Sequence, residues 1–300
     1  MTGRFADLTA RLSAGEPLSA GDVTALAQTT DILTLGMLAD EARRRKHGAD
    51  TTFVRVALVT VPAADGAVVI PPAAGEVRID GLAGPLEALL PQLRTIAAAA
   101  GAVPVSAFSL SDLQARADSS GAPLVDLLRA VRNAGVTLIA EAPLDRMREP
   151  EVALEAMRAA GLGLGRLTIQ HHAAGADRVN QILRAVELQH ALGWIRSFAP
   201  LARTWDAASV STGYEDVRQV ALARLLADNI PSIQVDWSLY GPKLAQVALI
   251  VGADDVDGVS ATDDESEGRR RAPLEEIRRN IRAAALVAVE RDGAYRRIPG

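Results

Sequence analysis

The chain has 300 residues, 32 basic against 37 acidic for a formal net charge of −5, and no cysteine. That length suits one large α/β barrel or two smaller domains, and the mild acidity offers no global field for nucleic acid or an anionic membrane. The lack of cysteine excludes disulfides, cysteine nucleophiles, thiolate metal sites and cysteine-ligated iron–sulfur clusters.

Residues 1–17, MTGRFADLTARLSAGEP, lack the apolar core of a signal peptide. No later apolar run approaches the roughly 18 residues of a membrane span, so a cytoplasmic protein is expected. Residues 1–50 read as helices packed outside the main domain. In SAGDVTALAQ, Ser19 or Asp22 is placed to cap. TDILTLGMLADEARRRKHG puts Ile32, Leu35, Leu38, Ala39 and Ala42 on one stripe, with Gly48 as terminator. The basic run at 42–48 ends that helix, where cations suit the dipole.

From residue 51 the pattern changes. Strand-like runs at 51–59, 76–79, 103–108, 136–142, 166–170, 194–199, 232–237 and 256–260 alternate with helical stretches such as PLEALLPQLRTIAAAAG and ADRVNQILRAVELQHALG. Eight strand–helix units in a row imply parallel strands joined by crossover helices. The prediction is an α/β fold: a (β/α)8 TIM barrel over residues 51–300 with extra N-terminal helices, forming one structural unit. An open doubly wound sheet is the alternative. The dinucleotide fingerprint is missing, because GLGLG at 161–165 precedes a strand where the fingerprint must follow one; it reads as a turn. GRRRAP at 268–273, after the acidic DDESE, reads as an exposed loop.

In such barrels the active site lies at the C-terminal ends of the strands. Those ends place Asp80 and Gly81 after the second strand, Ser106 and Ser109 around the third, and Glu141 after the fourth. Gln170, His171 and His172 follow the fifth, Asp236 and Trp237 the seventh, and Asp254, Asp255 and Asp257 lie beside the eighth. If these converge, the mouth is acidic with two imidazoles, able to bind a divalent metal or to supply an acid–base pair. The bland alternatives stay open. Polar residues collect at any solvated mouth, and adjacent His171 and His172 point to opposite sides of a continuing strand. Asp254 and Asp255 serve equally as caps, and Trp237 and Phe198 suit core packing as well as a flat ligand. No Ser–His–Asp spacing or phosphate loop stands out, so spacing alone yields no reaction.

Three phrases go further. LGMLADEARRRKHGADTTFVRV, STGYEDVRQVALARLLADNIPSIQVDW and GPKLAQVALIVGADDVDG closely resemble the menaquinone-pathway radical S-adenosylmethionine (SAM) enzymes. This is the family of aminofutalosine synthase, dehypoxanthine futalosine cyclase and the second subunit of F420-precursor synthase. The similarity runs from about residue 20 onward and is most specific over 211–258. It implies a full barrel and a CxxxCxxC motif after the first strand, whose thiolates hold a four-iron cluster that binds and cleaves SAM. Here TTFVRV matches the phrase before the motif, and ALVTVPAADGAVVIPPAAG stands in the motif's place. That stretch reads as a β-hairpin around Asp65-Gly66, expected to fill the space of the cluster.

Other departures agree. Asp80-Gly81 replaces a Gly-Gly pair, and its carboxylate would repel the carboxylate of SAM unless protonated or paired. AEAPLD, with Glu141 and Pro143, replaces a glycine-rich turn. The resemblance therefore implies a degenerate, cysteine-free member with no 4Fe–4S cluster, no SAM and no metal. Conventional radical SAM activity is excluded on ligand grounds, and whether the chain is an enzyme stays open. It is expected to bind a small molecule of the menaquinone pathway or a partner enzyme through Asp80, Gly81, Ser106, Gln170, Gln234, Trp237, Asp254 and Asp255. The alternative is a non-radical lyase or hydrolase using Glu141, His171, His172 and Asp236. A purely structural role, as a homo-oligomer, is the third reading. Neither nucleic acid nor a membrane is expected as a partner.

Overall fold

Each β-rich run found in the sequence forms a strand. The computed structural model describes residues 18–61, 68–173, 176–204, 213–262 and 273–299, together with 8, 10–12, 14 and 16. Its strands are β1 (Asp50–Thr60), β2 (Glu76–Asp80), β3 (Val105–Ser109), β4 (Leu138–Pro143), β5 (Gly163–Leu164), β6 (Leu167–Ile169), β7 (Ser197–Ala202), β8 (Ser232–Asp236), β9 (Asp255–Ser260) and β10 (Val287–Arg291). The order β1-β2-β3-β4-β6-β7-β8-β9 closes through a parallel β1–β9 pairing, giving the (β/α)8 barrel. Two strands lie outside the expected set. β5 pairs with β4 where GLGLG was read as a turn. β10 pairs with the lower half of β1, Asp50↔Val287 to Val54↔Arg291, while β2 takes the upper half, Val56↔Glu76 to Thr60↔Asp80.

Helices α1 (Ala20–Gln28) and α2 (Ile32–His47) precede the barrel. Ser19 and Asp22 cap α1 together: Ser19 Oγ accepts from the Asp22 amide, and Asp22 Oδ2 accepts from the Ser19 amide at 2.8 Å. On α2, Leu35, Leu38, Ala39 and Ala42 are buried, and the helix ends at Gly48 with φ 60°. The crossover helices are α3 (Leu86–Ala100), α4 (Leu110–Ser120), α5 (Leu124–Asn133), α6 (Pro150–Ala159), α7 (Ala176–Leu192), α8 (Gly213–Leu226), α9 (Trp237–Ile250) and α10 (Pro273–Ala283). Trp237, read from the sequence as the end of a strand, instead opens α9. Among the described residues, no helix is long and apolar enough to cross a membrane.

The apolar core lies between the strands and the helices. Phe53, Ile79, Leu93, Ile96, Leu110, Phe198 and Ile233 are all at most 1% exposed, and burial of each such side chain contributes roughly 1.5–3 kcal/mol. Inside the barrel the pattern inverts. Such interiors are ordinarily layers of branched aliphatics, yet Glu76, Ser106, Arg166, Thr168, Gln234, Asp255, Asp257 and Arg291 are all buried here. Alternation along each strand sends one set of residues to the helices and the other to the axis, and much of the axial set is polar.

The hairpin expected around Asp65-Gly66 lies outside the described residues, as does GRRRAP apart from Pro273. The flanks of the first segment are well defined. Val61 is buried and its amide donates to Asp80 O at 2.8 Å, while Val68 and Ile70 pack against the core.

Candidate functional site

At the C-terminal ends of the strands lies a cavity of about 560 Å³. One part of its wall is apolar, from Val56, Leu58, Ile79, Leu82, Phe108 and Ala140; the rest is polar and charged. Leu58 is 65% exposed, an apolar side chain presented to the cavity. Phe108, at the end of β3, has φ 60°. A bulky residue in the left-handed region stores roughly 1–3 kcal/mol of strain, held here at the cavity wall. Gly81 has φ 92°, and a Cβ there would come 2.2 Å from Val61 O, so the approach of the end of β1 to the β2 turn requires glycine.

The floor is a chain of alternating charges. Arg78 donates from both terminal nitrogens to Asp257, at 3.0 and 2.8 Å, and from Nε to Glu76 Oε1 at 2.9 Å. Ser106 Oγ donates to that same Glu76 oxygen at 2.5 Å. Asp257 Oδ2 also meets Arg166 Nη1 at 2.7 Å. Arg166 Nη2 and Arg203 Nε lie 3.5 and 3.1 Å from Glu141 Oε2. Arg203 Nη1 donates to Asp236 Oδ2 at 2.6 Å. Asp236 finishes the chain as the N-cap of α9, its Oδ1 accepting from the Leu239 amide at 3.0 Å and Ser238 Oγ at 2.7 Å.

The guanidiniums of Arg78, Arg166 and Arg203 thus face the carboxylates of Glu76, Glu141, Asp236 and Asp257, leaving one negative charge in excess. Charges this far from water persist only when paired. Burial alone would raise the Asp257 carboxyl, but Arg166 and Arg78 outweigh it and hold the group well below the usual carboxylate range. Asp236 is lowered in the same way, with Arg203 overcoming its burial. Burial and the neighbouring Arg78 pull Arg166 down.

Of the residues expected at the mouth, Asp80, Ser109, Glu141 and Asp236 line the cavity, Asp257 lies in its floor, and Gly81 shapes its rim. Asp80 is exposed, with Oδ1 accepting from the Gly81 amide at 2.7 Å. The others are elsewhere. Ser106 is buried beneath Glu76. Gln170 is tied by its backbone to Asp145 and Thr204. His171 is exposed on Asp145, with Nδ1 3.1 Å from Oδ2, and with His172 borders a separate cleft of only about 10 Å³. Trp237 packs against the core. The expected mouth with two imidazoles is therefore corrected to a lattice of arginines and carboxylates: the chain leaves the axis after β6 and carries both histidines outward.

Gln234, Asp254 and Asp255 are also corrected, because they belong to the opposite end. Arg291 grips Asp255 with two bonds of 2.6 Å, joined by Gln234 Nε2 at 2.6 Å and Thr52 Oγ1 at 2.5 Å. The Tyr295 ring stacks on Arg291, 4.0 Å from ring centroid to guanidinium carbon, and its hydroxyl donates to Gly165 O at 2.9 Å. Burial pushes that phenol up. Asp254 takes Arg224, Ser232 Oγ at 2.7 Å and the Ile233 amide at 2.8 Å. These aspartates fasten β8 and β9 to α8 and β10.

Sequence reasoning missed Arg78, Arg166 and Arg203. One signal was present. Glu76, Arg78 and Asp80 alternate along β2, and a charged face on a strand of a parallel barrel, where both faces should be apolar, marks a polar interior. Among the described residues, no group of three or more His, Asp or Glu converges as a metal site.

Residues 197–297 match the family described as CofH/MqnC C-terminal region. Aminodeoxyfutalosine synthase of Thermus thermophilus is 28% identical over 98% of this chain and 96% of that protein. Aminodeoxyfutalosine synthase of Streptomyces coelicolor is 32% identical over 39% of this chain and 36% of its own. The 5-amino-6-(D-ribitylamino)uracil–L-tyrosine 4-hydroxyphenyl transferase of Methanosphaerula palustris is 39% identical over 33% of this chain and 29% of its own. Two solved structures share the fold: methylornithine synthase, with TM-score 0.64 and 11% identity over 94% of this chain and 97% of that one, and the FeFe-hydrogenase maturase HydG of Carboxydothermus hydrogenoformans, with TM-score 0.64 and 13% identity over 96% and 80%.

These matches correct one expectation. The chain was expected to use no cofactor, neither a cluster nor SAM, whereas its homologues and structural neighbours are radical SAM enzymes that work with a 4Fe–4S cluster and SAM. What the residues establish is narrower: with no cysteine in the sequence, this chain supplies no thiolate to anchor a cluster. The shared barrel and the matched phrases carry the comparison: the chain is similar over nearly its whole length to an aminodeoxyfutalosine synthase, and residues 197–297 match the CofH/MqnC C-terminal region.

Proposed function

We propose that this chain is a degenerate relative of the aminofutalosine synthases, one that binds a small molecule of menaquinone metabolism in the barrel mouth and does not turn it over by a radical reaction. The observation that carries this reading is the floor of the cavity. Its charged groups are joined by ion pairs from Glu76 to Asp236, which leaves a polar surface that can hold a ligand. Arg203 lowers the Asp236 carboxyl, which makes Asp236 a poorer general base for a lyase or hydrolase. The length-spanning likeness to an aminodeoxyfutalosine synthase supports a ligand of that metabolism. The apolar wall of Leu58, Leu82 and Phe108 suits a flat organic body.

A thermal-shift screen with aminofutalosine, dehypoxanthine futalosine, 3-enolpyruvylbenzoate and SAM tests the proposal. A ligand at a hundred times its Kd adds about 2.7 kcal/mol, which raises the Tm of a chain this size by about 4 °C. A shift with a pathway metabolite supports the reading. A shift with SAM alone would overturn the degenerate assignment, and no shift with any of the four would sink the small-molecule reading in favour of a protein partner.

A further inference from the structure

Beneath the charged floor, four polar atoms have no protein partner: Arg166 Nε, Thr168 Oγ1, Ser197 Oγ and Gln234 Oε1. Their residues are 3%, 0%, 2% and 1% exposed, so none can turn to bulk solvent. Buried polar atoms in native proteins almost always find a partner. All four residues turn toward the axis. Arg166 reaches Asp257 across the barrel, Thr168 shares its strand face, and Gln234 reaches Asp255 and Tyr295. Ser197 Oγ lies beside the Tyr295 hydroxyl without meeting it in hydrogen-bond geometry.

The strand register brings them together. Thr168 pairs with Ala199. The β7–β8 register, Ser197 with Ser232 and Phe198 with Ile233, carries Ala199 level with Gln234. Thr168 and Gln234 therefore stand two strands apart, a backbone separation of roughly 9–10 Å, with only the Ala199 methyl between them. Gln234 cannot close that distance, because its amide nitrogen is held on Asp255 Oδ2 at 2.6 Å.

Chemistry selects what bridges the gap. Arg166 Nε only donates, Gln234 Oε1 only accepts, and the two hydroxyls do either. An anion would satisfy Arg166 and leave Gln234 unpaired, whereas a cation would do the reverse. Water satisfies both. From below the space is closed by Tyr295, whose hydroxyl donates to Gly165 O at 2.9 Å and accepts from Gln234 Nε2 at 3.3 Å. From above it is closed by the Arg166–Asp257 pair at 2.7 Å. We infer that this space is a sealed site for ordered water bridging Thr168, Ser197, Gln234 and Arg166, so that Tyr295 at the base of the barrel is hydrogen-bonded through to the floor of the mouth.

A high-resolution crystal structure of the full chain tests this, together with two variants. The expected result is density within hydrogen-bond distance of both Thr168 Oγ1 and Gln234 Oε1. Ala199→Val, which fills the space with methyl groups and displaces the water, lowers Tm by several degrees, and Ala199→Ser, which supplies a hydroxyl, lowers it less. Direct pairing of Thr168 with Gln234, an ion at the position, or space without density would each overturn the inference. So would a Val variant as stable as the Ser variant, since an apolar void gains from being filled.

Discussion

Replacing Arg166 by Met removes the centre of the charged lattice and keeps most of the side-chain volume. The Arg166 side chain is 4% exposed, and it faces Asp257, 1% exposed, and Glu141, 18% exposed. Removing one partner of a buried pair typically costs about 3–5 kcal/mol, because a charge is left buried and uncompensated. Here Asp257 keeps both bonds from Arg78 and Glu141 keeps Arg203 beside the cavity, which places the loss near the lower end, about 3 kcal/mol. For a chain of this size that is a Tm decrease of about 5 °C. The pH dependence has a definite sign. Asp257 and Asp236 titrate below their unfolded values, so their contribution is complete above about pH 4 and is lost as pH falls through their folded values. Without Arg166, Asp257 is held down less strongly, and the acid limb of the Tm–pH profile becomes shallower. Adding Asp257→Asn removes the carboxylate that lost Arg166, and the double variant loses less than the sum of the singles. A Tm within about 2 °C of the parent, or strict additivity in the cycle, would refute the lattice argument.

Other outcomes follow from the same geometry. Gly81→Ala places a Cβ against Val61 O and is expected to destabilise by more than about 1 kcal/mol in a denaturant titration; a neutral result would mean the β1–β2 contact is misplaced. Asp255→Asn weakens the double bond to Arg291 at the base of the barrel and is expected to lower the urea midpoint without changing ligand affinity. His171→Ala, distant from the cavity, leaves both stability and ligand binding unchanged in melts and titrations, whereas Glu141→Gln alters binding; the opposite ranking would return the histidines to the site.

The fold was legible because its signals are local. Short β-rich runs marked all eight barrel strands, and Ser19, Asp22 and Gly48 marked helix ends by their own chemistry. β10 escaped because its five residues pair only with the lower half of β1 and nothing near it announces a return to the sheet. The site was less legible because its chemistry lies inside strands, not at their ends. Arg78 sits in mid-β2 and Arg166 just before β6, and both meet Asp257, a residue expected at the mouth but far from either in the chain. GADD at 252–255 shows the same limit. Its aspartates resemble ligand groups, yet each has a guanidinium partner, Arg224 for Asp254 and Arg291 for Asp255, that no spacing rule connects to it.

The most direct measurement is a calorimetric titration of aminofutalosine into the full chain and into Leu58→Trp, a change at a 65% exposed position that fills the cavity without touching the lattice. The account predicts saturable binding to the parent and at least tenfold weaker binding to the variant, about 1.4 kcal/mol, with their melting curves unchanged. Binding that ignores Leu58→Trp, or no binding to either protein, would contradict it.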